Sequence, residues 1–151
     1  TYVGQNLGAK KYRRIRNGVR SGVYMALITS IVISGVMVIT GRNILSLFVS
    51  GEAGQVKQVL DIAYKYLFIM AIFLWVLYLL YVYRSAIQGL GNTLIPLASG
   101  VVEFCMRVGV ALLLPKLIGE DGIFYAEISA WSGAAILLIV SYVVIIRKYK
   151  E

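Results

Sequence analysis

Glu103 and Arg107 stand four residues apart inside a long apolar stretch, so a helix there places both on one face, with the glutamate on the N-terminal side as a favourable pair requires. Glu127 lies near the start of the next apolar run, where Trp131, Ala134 and Leu138 share its helical face, so that an acid and an aromatic ring could line one cavity. Ionisable groups at such depth are costly and face a partner helix or a wet cavity, where they can gate, pass a proton or hold a cation. The Glu103–Arg107 pair could equally serve only to fix helix packing, and the residues alone leave the two readings level. Other chemistry is excluded by residue type. There is no His, and the one Cys, Cys105, lies inside an apolar run, which removes His-based triads, disulfide frameworks and the usual zinc sites. No serine or cysteine stands in a constellation with a base, and the polar loops are too short for a catalytic domain. The sequence therefore predicts no enzyme, no catalytic or metal-ligating residue and no cofactor.

The elements that must hold these acids are membrane spans. Of 151 residues, 60% are apolar and 15% charged, with a mean hydropathy of +0.81, against about 45–50% and about 25% in soluble domains. Residues 21–41 carry no charge between Arg20 and Arg42, and at about 1.5 Å per residue they reach roughly 31 Å, the thickness of a bilayer core. A second uncharged run, 66–83, lies between Lys65 and Arg84 and is extended upstream by an amphipathic stretch. Its Tyr64 and Tyr66 at one end, and Tyr81 and Tyr83 at the other, are predicted to form interfacial aromatic belts. The third helix should start near Thr93, which puts Pro96 in its first turn, where proline is tolerated. The fourth ends in Arg147, Lys148 and Lys150. The expected fold class is all-α, a polytopic transmembrane helical bundle forming one membrane domain over 1–151, with spans at about 19–41, 58–83, 93–115 and 123–146. Beginning at Thr1 without a signal-peptide pattern, the chain reads as a fragment.

The net charge of +8 suggests nucleic acid only until the basic residues are placed, since they cluster at the ends of apolar runs. One side of the four spans collects Lys10, Lys11, Arg13, Arg14, Arg16, Arg20, Arg84, Arg147, Lys148 and Lys150, and the other only Arg42, Lys57, Lys65 and Lys116, together with Glu52, Asp61, Glu120 and Asp121. The first side is expected in the cytoplasm of an inner or plasma membrane, with both ends of the chain there and the hairpins at 42–55 and 116–122 outside. The run from Lys10 to Arg20 reads as an interfacial amphipathic helix that holds anionic lipid. Small residues at four-residue spacing, Ala26, Ser30 and Ser34, then Ala126, Ala130 and Ala134, mark close helix packing. QGLGN at 88–92 follows a span rather than a strand, so a nucleotide site is discarded. Its glycines should make a tight turn in which Gln88 and Asn92 satisfy backbone groups.

In order along the chain, GQNLGAKKYRRIRNG at 4–18, RSAIQGLGNTLIP at 84–96, SGVVEFCMR at 99–107 and IGEDGIFYAEISAW at 118–131 resemble the multidrug and toxic compound extrusion (MATE) transporters. The resemblance implies a two-lobe, twelve-helix fold, of which this chain looks like the last four spans of the second lobe. It implies an antiporter that exports cationic amphipathic drugs by alternating access, driven by Na⁺ or H⁺, with no cofactor beyond the coupling ion. Partners would be the bilayer, the preceding lobe of the same chain and cationic small molecules, not nucleic acid. Glu103, Arg107, Glu127 and Trp131 are the ion-coupling or substrate candidates here, and Gly4, Gln5 and Gly8 with Gln88, Gly89, Gly91 and Asn92 form the cytoplasmic-loop motif. Some branches of the family use an acid in the tenth helix for cation coupling, whereas the matching run Tyr66–Tyr83 has none. The alternatives are an exporter of lipid-linked oligosaccharide or polysaccharide from the same superfamily, and a four-helix membrane scaffold that transports nothing.

Overall fold

The computed structural model describes residues 1–51 and 53–149; Glu52 and Lys150, both used in the charge count, lie outside the described residues. Six α-helices follow one another among those residues: α1 (Tyr2–Gly8), α2 (Tyr12–Ser46), α3 (Ala53–Gly89), α4 (Leu94–Leu113), α5 (Pro115–Ile118) and α6 (Phe124–Lys148), with a 3-10 turn at Glu120–Ile123. Four helical stretches are long and apolar enough to cross a membrane. The fold is an all-α bundle of such helices.

The basic run does not form a helix of its own. Lys10 takes a left-handed conformation, φ 56°, and closes α1: its N–H donates to the Leu7 carbonyl at 2.9 Å and the Lys11 N–H to the Asn6 carbonyl at 2.8 Å. This is a Schellman closure with lysine where glycine is usual. From Tyr12 onward the basic residues belong to the first turns of α2, because Ile15 and Val19 are buried against the bundle and hold those turns in line with the span. A non-glycine residue in the left-handed region costs on the order of 1 kcal/mol. Lys10→Gly is therefore expected to stabilise the protein by roughly 0.5–1 kcal/mol. The detergent concentration at which helical circular dichroism collapses in an SDS titration should rise, and a fall would refute the assignment of strain.

Laterally the helices stand in the order α2, α3, α6, α4, with α3 packed on α2 and α6, and α6 packed on α4. The small-residue faces serve these contacts. Ala126, Ala130 and Ala134 are buried, and a Cβ on neighbouring Gly133 would stand 3.1 Å from the Met106 side chain of α4. The Ser34 hydroxyl donates to the Ala71 carbonyl of α3 at 2.6 Å. Helices α3 and α4 meet weakly although a short turn joins them, because α6 packs against both. The core, with Ile15, Leu80, Ile87 and Leu138 fully buried, sits where α2, α3 and α6 meet. The N-terminal end of α2 and the C-terminal end of α6 lie together, as the Arg16 guanidinium donates to the Tyr149 carbonyl at 2.6 Å.

The aromatic belts are only partly as expected. Tyr81 is exposed, and so is Tyr66 although its ring meets Phe124 at 5.4 Å, but Tyr83 packs edge-on against Tyr142 at 5.3 Å and the Tyr64 hydroxyl donates to the Val38 carbonyl at 2.8 Å. Being central, α3 has neighbours on both sides, so Tyr64 and Tyr83 turn onto protein while Tyr66 and Tyr81 stay exposed.

Candidate functional site: a chain of four charges across three helices

Arg84 stands five residues before the end of α3, in a helix that continues through Ala86 and Ile87, both buried. Its Nη2 donates from α3 to α4, to Glu103 Oε2 at 2.8 Å and to Ser99 Oγ at 3.2 Å. Ser99 is fully buried and passes its own proton to the Pro96 carbonyl at 2.7 Å, leaving its oxygen turned to the arginine. Glu103 lies about 14 Å and Arg107 about 20 Å along α4 from its start at Leu94. One Glu103 oxygen is thus taken by α3. The other faces Arg107 Nη2 at 3.5 Å, and the same Nη2 donates to Glu127 Oε2 at 2.8 Å. Glu127 occupies the first turn of α6, where the helix dipole favours a negative charge.

Arg84, Glu103, Arg107 and Glu127 form one ladder, two positive and two negative, so no net charge is left within the bundle. Glu103 is the most enclosed, its side chain 20% exposed, and Arg107 the most open at 41%. Charge-assisted bonds of this length are worth roughly twice a neutral one. Both arginines leave the Nε–H buried without an acceptor, so donors exceed acceptors and the ladder has room to re-pair. Arg107 is the shared member, since a change at either glutamate alters its pull on the other.

The expected pair, Glu103 with Arg107, is the longest contact of the four, and each residue has a shorter bond to another helix. The structure brings Glu127 into the same group. It places Trp131 against the apolar core instead. Arg84, counted from its sequence position only among the charges of the first side, is also a member of the ladder: α3 runs on five residues beyond it, and its guanidinium turns toward Glu103 of α4. The apolar periodicity running on through Ala86, Ile87 and Leu90 is the signal that Arg84 is not a loop residue. Ser99 carried no sequence signal.

The two parts of the loop motif meet one another. Gly91, at φ +83°, closes α3, with its N–H on the Gln88 carbonyl at 2.9 Å and the Asn92 N–H on the Ile87 carbonyl at 3.2 Å. The Asn92 side chain accepts the Ile95 N–H at 3.0 Å and so caps the start of α4, while Gln88 supplies only its backbone carbonyl. A Cβ on Gly89 would lie 2.7 Å from that of Val3, and one on Gly4 would lie 3.5 Å from the Gly89 oxygen. Helix α1 is thereby seated on the α3–α4 turn. The Gln5 and Gly8 positions stay exposed. This is architecture rather than chemistry.

A family model described as MatE matches residues 1–113, which takes in α1 to α4 with Arg84, Glu103 and Arg107, and leaves α6 with Glu127 outside the match. No curated protein and no solved structure matches the chain. The family is one of membrane transporters, not enzymes, and its model covers well over half the sequence in a protein built of apolar, membrane-length helices. The chain belongs to the MatE family, that of the multidrug and toxic compound extrusion transporters.

Proposed function

We propose that these residues are the last four spans of the second six-helix lobe of a cation-coupled antiporter, in which inward Na⁺ or H⁺ drives export of cationic amphipathic compounds. The observation that carries this reading is the neutral ladder centred on Arg107, which holds two carboxylates at 2.8 and 3.5 Å. A cation reaching Glu103 or Glu127, or a proton taken up there, competes with a guanidinium for the same oxygens. The freed arginine then draws on the remaining acid. Ion, substrate and helix positions of α3, α4 and α6 are in this way tied together, which is what alternating access requires. The weak α3–α4 contact, bridged by Arg84, is where α4 can move relative to α3.

The test is efflux of a cationic dye by the full-length transporter under imposed pH and Na⁺ gradients. A charge-assisted bond is worth about 1.5–3 kcal/mol, a factor of roughly ten to a hundred. Glu103→Gln is expected to lower efflux at least about tenfold and to flatten its dependence on the driving gradient, with Glu127→Gln acting in the same direction. Unchanged efflux and unchanged gradient dependence in both variants would overthrow the coupling role.

The reading also places both ends of the chain in the cytoplasm of the cell membrane, facing the basic residues of α2 and α6. A cysteine introduced at exposed Gly54 should react with a membrane-impermeant thiol reagent added outside intact cells. Labelling only after the cells are opened would reverse the orientation.

A further inference from the structure

Along α2, Arg13, Asn17, Arg20, Tyr24, Ile28, Ile31, Gly35 and Ile39 recur at three- and four-residue steps and make one stripe, and every member is exposed. The opposite face, with Ile15, Val19, Ala26 and Ser30, is buried against the bundle. The stripe changes character once. Above Ser21 it is basic, and below Tyr24 it is wholly apolar.

Depth gives this change a meaning. Residues 21–41 match the hydrocarbon thickness, so Arg20 falls at its boundary and Arg13 about 10 Å higher, across the headgroup layer. Arg20 is held in place: its Nε and Nη2 lie 3.3 and 3.2 Å from the Tyr24 hydroxyl and its guanidinium stands 5.6 Å from the Tyr24 ring centre. Beside it opens a cavity of about 270 Å³ lined by Arg16, Arg20, Tyr24, Tyr83 and Tyr142, with Arg16 held there by its Nη2 bond to the Tyr149 carbonyl and its other donors left over among the described residues. The first acidic residue in the sequence is Glu52. The guanidiniums at this end therefore have no carboxylate on their own helix to answer them.

We infer that this face of α2 seats one anionic phospholipid, its phosphate between Arg16 and Arg20, its glycerol region against Tyr24, and an acyl chain along Ile28, Ile31 and Ile39. Charge complementarity chooses the head, and the length of the apolar stripe chooses a lipid over a soluble anion. The site rests on the membrane-spanning reading of α2 and is independent of the antiport mechanism.

The experiment uses the full-length transporter in lipid bilayer discs and spin-labelled phosphatidylglycerol or phosphatidylcholine, reading the fraction of each held immobile. Phosphatidylglycerol is expected to be preferred. Each basic residue near the surface contributes about 1 kcal/mol, so Arg16→Gln/Arg20→Gln should weaken that preference about tenfold or more, and Arg16→Lys/Arg20→Lys should keep most of it. The charge-matched pair Arg147→Gln/Lys148→Gln, at the same end of the bundle, should change it little. Equal retention of the two lipids, or an equal loss in the control pair, would overturn the site in favour of a diffuse basic field. A fluorophore on Ile31→Cys should also be quenched by lipids carrying a quencher on their chains. No quenching would mean that other spans of the protein cover the stripe, which also refutes it.

Discussion

Replacing Arg107 by methionine is expected to destabilise the protein more than removing Glu127, and removing both is expected to restore part of the loss. The single change leaves Glu103 with Arg84 alone and Glu127 with no partner among its present contacts, so the ladder acquires a net negative charge in a setting of low polarity. Breaking an enclosed ion pair by deleting one partner costs about 3–5 kcal/mol. With Arg107 41% exposed and Glu127 31% exposed, part of that is recovered by solvation, and about 2–3 kcal/mol is the expected loss. In Arg107→Met/Glu127→Leu the remaining Arg84–Glu103 pair is again neutral. The interaction energy of the cycle should be about 1–3 kcal/mol. SDS titration of the wild type, the two single variants and the double variant measures it. Strict additivity would mean that Arg107 and Glu127 merely lie near each other, and the ladder would dissolve into separate surface pairs.

The same ladder shows how far the sequence could be read. Four apolar runs separated by short polar segments demand membrane-length helices, because in lipid only helices and closed barrels satisfy the backbone and barrel strands need short runs of alternating polarity. An acid and a base four apart also declare a shared face. What periodicity lacks is the neighbour. It placed Arg107 beside Glu103, whereas lateral packing of α4 on α6 gives Arg107 a shorter bond to Glu127, 20 positions away. Counting uncharged residues ends the second span before Arg84, whereas the helix itself runs on until its hydrogen bonds and caps end, at Gly91 with its positive φ. Likewise the tyrosines of α3 carried the composition of an interfacial belt, and only the central position of that helix turns Tyr83 onto Tyr142. Lys10 was invisible for the opposite reason. The closing position of α1 has a glycine geometry and a lysine in it, so the sequence carries no turn signal there and the basic run reads as continuous.

Gly122→Ala is expected to carry the largest penalty of any glycine substitution in the chain. Gly122 is buried in the 3-10 turn between α5 and α6, and a Cβ there would stand 2.6 Å from the Pro115 nitrogen and 2.7 Å from the Leu114 carbonyl carbon. Neither obstacle can rotate away, since both are backbone atoms and the Pro115 ring fixes its own φ. The turn cannot drift freely either: Gly122 N–H is bonded to the Gly119 carbonyl at 2.9 Å, Gly119 holds φ +77°, and Asp121 is paired with Lys65 of α3 at 2.6 Å. Overpacking of this kind costs about 1–3 kcal/mol and occasionally more, and a rigid obstacle puts Gly122→Ala at the upper end. Gly41→Ala is the control, because its Cβ would press at 2.9 Å on Leu67 Cδ2, the free end of a side chain that can change rotamer. The expected cost there is below about 1 kcal/mol. The consequence reaches the ladder, for Glu127 follows Gly122 by five residues in the first turn of α6. Displacing the turn tilts or shifts that helix start and draws Glu127 from Arg107. SDS titration should rank Gly122→Ala well below Gly41→Ala in stability, and dye efflux by the full-length transporter should fall in the same order. If the two variants proved equally stable, the close approach of Gly122 to the Leu114–Pro115 backbone would be wrong, and with it the anchor that sets Glu127 in reach of Arg107.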